Sequence, residues 1–163
     1  MTTISLDTAK ERILEMYQKI DTNSQYYGCL LNWYGKGVWN YGIGISDNLV
    51  FDTAYLKIFD RANLEVQLVP NVQNFSPAET IDRLGTAILC FQSWDYGLLG
   101  WNGEHFARLV ATDKAISYQV KELPFPIPQL NHDGWHPQAS RFLTEYRESH
   151  SDWFAEILYS WSA

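Results

Sequence analysis

Several groups of side chains in this sequence carry atoms that catalysis or ligand binding uses. The densest is His132-Asp133-Gly134-Trp135-His136. Two imidazoles and a carboxylate so close together can begin a metal site. Zinc needs further ligands, and no C-x-x-C or H-E-x-x-H pattern supplies them. The same residues also spell turn chemistry ahead of a helix. Metal binding by His132, Asp133 and His136 is therefore left open, and no metal or cofactor is assigned.

Cys29 and Cys90 are the two thiols, and His105 is a possible base for either. A nucleophilic cysteine needs a lowered pKa and a neighbouring base. Cys29 lies among Gly28, Leu30 and Leu31, and Cys90 lies between Leu89 and Phe91, so both read as small buried hydrophobes. Glu104 and Asp95, with Asp52 or Asp60 beyond, could form a carboxylate pair, but nothing separates them from surface acids. Gly35, Gly37, Gly42 and Gly44 suggest a phosphate loop. Such a loop needs a strand-to-helix junction, whereas strand-like sequence lies on both sides here.

The remaining outlier is aromatic. Rings make up 15% of the chain, with seven Trp and ten Tyr, and they crowd into CLLNWYGKGVWNYGIGI, residues 29–45. Trp and Tyr are the usual anchors of protein interfaces. The formal charge of −7, from 12 Lys+Arg against 19 Asp+Glu, argues against nucleic acid and anionic membranes as partners. No apolar run is long enough to span a bilayer, and two cysteines make no disulfide framework, so a cytoplasmic location is expected.

Element signals then place these residues. Ser5 caps a helix over Leu6–Ile20, with Leu6, Ala9, Ile13, Tyr17 and Ile20 as its apolar stripe. Tyr26–Tyr34 and Gly37–Ile45 read as a hairpin about a Gly35-Lys36 turn. One face carries Tyr26, Leu30, Trp39, Tyr41, Ile43 and Ile45. The other carries Tyr27, Cys29, Leu31, Trp33 and Val38. Both faces are apolar, so both should touch something. Residues 49–63 read as strand or helix, with Tyr55, Ile58, Phe59 and Ala62 suiting a short helix. Leu64–Val69 alternates as a strand. Ser76-Pro-Ala-Glu79 opens a helix running to about Gln92. Asn102-Gly103 signals a hairpin between Tyr96–Trp101 and Glu104–Ala111, and Ala115–Leu123 extends it into a meander. Pro124, Pro126 and Pro128 make a stiff connector, and a helical region follows over Gln138–Trp161. The sum is one α+β domain over residues 1–163: an antiparallel sheet of five to six strands with helices on one face.

That order, with residues 87–125 as its best local echo, resembles the class I type III secretion chaperones. The resemblance implies a small acidic cytoplasmic protein, often a dimer, that binds extended segments of client proteins. In composition the chain is also similar to small cyanobacterial accessory proteins that assist carboxysome shell assembly.

The expected function is a non-enzymatic, chaperone-like adaptor that holds an extended or helical segment of a client protein on an aromatic sheet face. The expected anchors are Tyr27, Leu31, Trp33 and Val38, with Leu99, Trp101 and Phe106 as a second patch. A homodimer would use the same surface. The alternatives are a small hydrolytic enzyme with a Cys/His or metal site, and an immunity-type toxin inhibitor.

Overall fold

Helix α1, Leu6–Lys19, forms where its apolar stripe predicts, and the Ser5 hydroxyl accepts the Thr8 N–H to cap it. A computed structural model describes residues 4–70, 72–91, 102–122, 139–141, 143–145 and 148–149 of the chain. Helix α2, Pro77–Cys90, begins at the predicted cap: Pro77 occupies its first turn, and the Ser76 hydroxyl accepts the Glu79 N–H. The Tyr17 hydroxyl donates to Asp82 at 2.6 Å and ties α1 to α2.

Between these helices lie five short strands: β1 (Leu30–Gly35), β2 (Val38–Gly44), β3 (Leu49–Asp52), β4 (Lys57–Asp60) and β5 (Gln67–Leu68). Every pairing is antiparallel, and the order across the sheet is β4-β3-β2-β1-β5. The class is the expected α+β, a single sheet with helices packed against it.

The first hairpin turns at Lys36-Gly37, one residue later than predicted, with both φ angles positive (54° and 80°) as a two-residue hairpin turn requires. Trp33 consequently faces Asn40 rather than Val38. A shift of two in cross-strand partner leaves every side chain on its predicted face. The alternation fails only upstream of β1. Gly28 has φ 65°, and this break in extended backbone puts Tyr27 against the helix-side core and Tyr26 against the opposite cluster, the reverse of the expected faces.

Residues 49–63 are not helical. Asp52 accepts the N–H groups of Ala54 and Tyr55, and Leu56 takes φ 54°, so the chain reverses between β3 and β4. After β4 it must reach the far edge of the sheet. Arg61–Val66 crosses the face away from the helices, and Leu64 and Val66 pack there with Tyr26, Cys29 and Phe59 over Leu31, Trp33 and Val50. The other face, with Leu30, Tyr41, Ile43 and Phe51, joins α1, α2 and the next helix in the main core. Both faces of the hairpin are thus apolar because the chain covers both.

The predicted meander is corrected. Residues Gly103–Thr112 form helix α3 and Tyr118–Lys121 a short α4. Asn102 is not a hairpin turn residue but an N-cap. Its Oδ1 accepts the N–H groups of Glu104 and His105, and its own N–H donates to His105 Nδ1, a reciprocal capping box. Asp113 ends α3 in the left-handed region, at φ 65°. Arg83 reaches from α2 to donate to the Val110 and Leu109 carbonyls at 2.8 and 2.7 Å, where a cation suits a helix C-terminus. Residues 139–141, 143–145 and 148–149 are helical, and Ala139 and Leu143 join the core. The expected strand 96–101, the prolines 124–128 and the 132–136 loop lie outside the described residues.

Candidate functional site

The structure sorts the expected chemistry first. Burial pushes the Cys90 thiol up to about 12 and raises Cys29 as well, the direction opposite to that of an activated nucleophile. His105 is fully buried and its Nδ1 serves the α3 cap. At neutral pH both thiols of the folded protein should react with a disulfide reagent far more slowly than a free cysteine. Denaturant should bring both to the full rate. Fast labelling of either in the native state would restore the nucleophile reading.

Glu104 lies at the start of α3 with its side chain wholly enclosed. Its Oε2 accepts Arg108 Nε at 2.8 Å, and its Oε1 accepts the Ser117 hydroxyl and the Gln119 N–H. This carboxylate organises structure, and among the described residues no second acid joins that network. Asp52 is buried, which raises its pKa against the lowering effect of the Tyr55 and Ala54 N–H groups. It closes the β3–β4 turn. Asp60 likewise accepts the Ala62 N–H in a turn. Among the described residues no group of three His, Cys, Asp or Glu side chains is placed to hold a metal. His132, Asp133, His136 and Asp95 lie outside them, as do the expected anchors Leu99 and Trp101.

Of the other anchors, Leu31 and Phe106 are fully buried and Trp33 is 5% exposed. Phe106, expected on a sheet face, sits on α3 with its ring against Phe91 at 6.1 Å. Tyr27 is half-buried. Val38 alone of the described anchors stands clearly exposed, at 38%.

Two rings that are not among the expected anchors accompany it. Tyr34 and Trp39 face each other across the hairpin with ring centroids 5.6 Å apart, edge to face. They share the helix-side face with Asn32 and Tyr41. Inward along that face Tyr41 lies under Arg108 of α3, whose guanidinium sits 5.4 Å from its ring. Outward, toward the turn, Trp39 is 40% and Tyr34 61% exposed. Among the described residues the helix layer stops between Tyr41 and Trp39, and the hairpin overhangs it by roughly one residue pair, or about 7 Å along the strand. The overhang presents Tyr34 and Trp39 on one side and Val38 on the other. Their ring density was visible in the sequence; the edge of the helix layer, which decides their exposure, was not.

Beyond Arg108 the surface continues to Tyr118, 47% exposed, with its ring 4.7 Å from the same guanidinium. Arg108, Tyr118, Lys114, Thr112, Ile116, Val72 and Asn74 enclose a cleft of about 260 Å³. The sequence does not announce it, because Glu104–Ala111 reads there as a strand. Read as a helix, Arg108 and Thr112 fall one turn apart, with Lys114 just past the C-terminus.

No family model, curated protein or solved structure matches this chain. None of the helices among the described residues is long and apolar enough to cross a membrane.

Proposed function

We propose that this chain is a non-enzymatic protein-binding adaptor whose contact surface is the overhanging tip of the β1–β2 hairpin. One observation carries the reading: Tyr34 and Trp39, paired on the helix-side face, stand exposed past the described helices that cover the rest of that face. A cross-strand aromatic pair also stabilises its hairpin. A ring pair left this open, with exposed Val38 on the reverse side, is more apolar surface than the turn needs. The occupant is an extended or helical segment of a client protein. The chain's charge of −7 steers clients that are basic or neutral. The enclosed Glu104 and the thiols raised by burial support a binding role over a hydrolytic one.

The test begins with a partner co-purified from the native cell. Trp39→Ala and Tyr34→Ala should each weaken that complex by about 2 kcal/mol, or about thirtyfold, with circular dichroism unchanged. Tyr55→Ala, at an exposed ring in the β3–β4 turn, serves as the control and should bind as the parent does. Undiminished binding by folded Trp39→Ala would refute the site. A concentration-dependent dimer in sedimentation that Trp39→Ala abolishes would give the surface to a second copy of the chain instead.

A further inference from the structure

Basic side chains are scarce in this protein, 12 against 19 acids, yet two of them, Arg108 and Lys114, line the same small cleft, and among the described residues no acid does. The commitments of each lining group define what can enter. Arg108 gives Nε to Glu104 at 2.8 Å and is flanked by the Tyr41 and Tyr118 rings. It also hydrogen-bonds the Tyr41 hydroxyl, and of the five N–H donors of a guanidinium terminal ones remain. Glu104 lies behind it, with Oε1 already accepting Ser117 and Gln119. Lys114 is exposed and has no side-chain partner among the described residues. The Asn74 side-chain N–H donates to the Thr112 carbonyl at 2.8 Å, and the Thr112 hydroxyl donates to the Arg108 carbonyl. The charged groups left to receive a ligand are therefore the donors of Arg108 and Lys114, with Asn74 and Tyr118 as neutral polar neighbours, beside the apolar surfaces of Val72 and Ile116.

We infer that this cleft binds a carboxylate carried on a short apolar body. The charge balance sets the class. Glu104 already neutralises one of the two cations, so the site matches a single negative charge, and a phosphate dianion would add repulsion from Glu104 and from the protein's net charge. The size sets the body. A volume of about 260 Å³ falls below the range of about 300–1,000 Å³ typical of drug-sized ligands. It holds a few carbons, as in a short free acid or in one acidic side chain or C-terminus of another protein. The inference stands independently of whether the hairpin tip binds a client.

The test is an amide NMR titration of the full-length ¹⁵N-labelled chain with butyrate, butyramide and inorganic phosphate. Butyrate should give saturable shifts centred on Asn74, Lys114 and Ile116, butyramide none, and phosphate weaker ones. Lys114→Gln, at an exposed position in no ion pair among the described residues, should keep the fold and weaken butyrate about tenfold, the scale of one charge-assisted hydrogen bond. A short apolar peptide with a free C-terminus, its C-terminal amide, and the amide with an internal Glu locate the source. A free-terminus or Glu peptide binding tighter than butyrate assigns a protein-borne carboxylate, and both binding more weakly assigns a free acid. Absence of saturable shifts with butyrate, equal shifts with butyramide, tighter binding of phosphate, or a Lys114→Gln protein that binds like the parent would each overturn the inference.

Discussion

Glu104→Ala should be among the most damaging single substitutions in the described part of this protein, lowering stability by about 3–5 kcal/mol. The Glu104 side chain is fully enclosed and that of Arg108 is only 11% exposed. Deleting the carboxylate leaves a guanidinium that meets little solvent without its charge partner, and the Ser117 hydroxyl and Gln119 N–H lose their acceptor as well. For a chain of this size the loss corresponds to a fall in Tm of about 6–20 °C. Two comparisons isolate the cause. Glu15 pairs with Lys19 at 2.9 Å in the same i, i+4 relation, but both side chains are more than 40% exposed, so Glu15→Ala should cost no more than about 0.5 kcal/mol. The double variant Glu104→Leu/Arg108→Met should recover much of the loss, because removing both charges leaves neither one buried alone. Thermal melts of the three variants and the parent make the measurement. A cost for Glu104→Ala near that of Glu15→Ala would show that the enclosed carboxylate is not what holds Arg108, Ser117 and Gln119 in place.

What could be read from the sequence follows from how local each cause is. The caps at Ser5 and Ser76-Pro77 act within one turn, and α1 and α2 begin where those residues stand. The two-residue repeat of a strand is equally local, so Leu30 and Ile43 on one face and Leu31 and Trp33 on the other emerge as predicted. Asn102-Gly103 shows where locality fails. The same dipeptide suits a hairpin turn or a helix N-cap. The choice depended on His105 three residues on and on the helix formers Glu104, Ala107, Arg108 and Leu109 behind it. Leu56 in the left-handed region is a turn that carries no glycine or asparagine to announce it. The candidate site was the least legible part. Trp33 and Tyr34 are neighbours with similar composition around them, yet one is 5% and the other 61% exposed. The difference comes from the Arg61–Val66 crossover over one face and from the end of the helix layer on the other. Both are long-range facts about packing.

Three glycines should separate into distinct costs when each is replaced by alanine, and Gly28 should cost the most. Gly37, in the hairpin turn, has φ 80° but open space around a would-be Cβ. Gly37→Ala therefore meets only the left-handed penalty, about 1–2 kcal/mol. Gly44 has no such dihedral, but its Cβ would collide with the Tyr26 carbonyl. That carbonyl accepts the Cys29 N–H at 3.0 Å, while Gly44's own carbonyl accepts the Gly28 N–H at 2.9 Å. Neither strand can retreat without breaking these bonds, so Gly44→Ala should cost at least about 1–3 kcal/mol from overpacking. Gly28 combines both causes. Its φ is 65°, and its Cβ would strike the backbone of Pro77 at the start of α2. Together these give about 2–6 kcal/mol. Denaturant unfolding of the three variants reads the order Gly37 < Gly44 < Gly28. The order matters because Gly28 sets the phase of β1: its left-handed backbone lets Tyr26 and Tyr27 pack on opposite sides while Leu30 and Leu31 still meet their cores. If Gly28→Ala proved as mild as Gly37→Ala, the start of α2 would be free to move off the sheet, and the close approach that fixes this phase would not be a constraint on the fold.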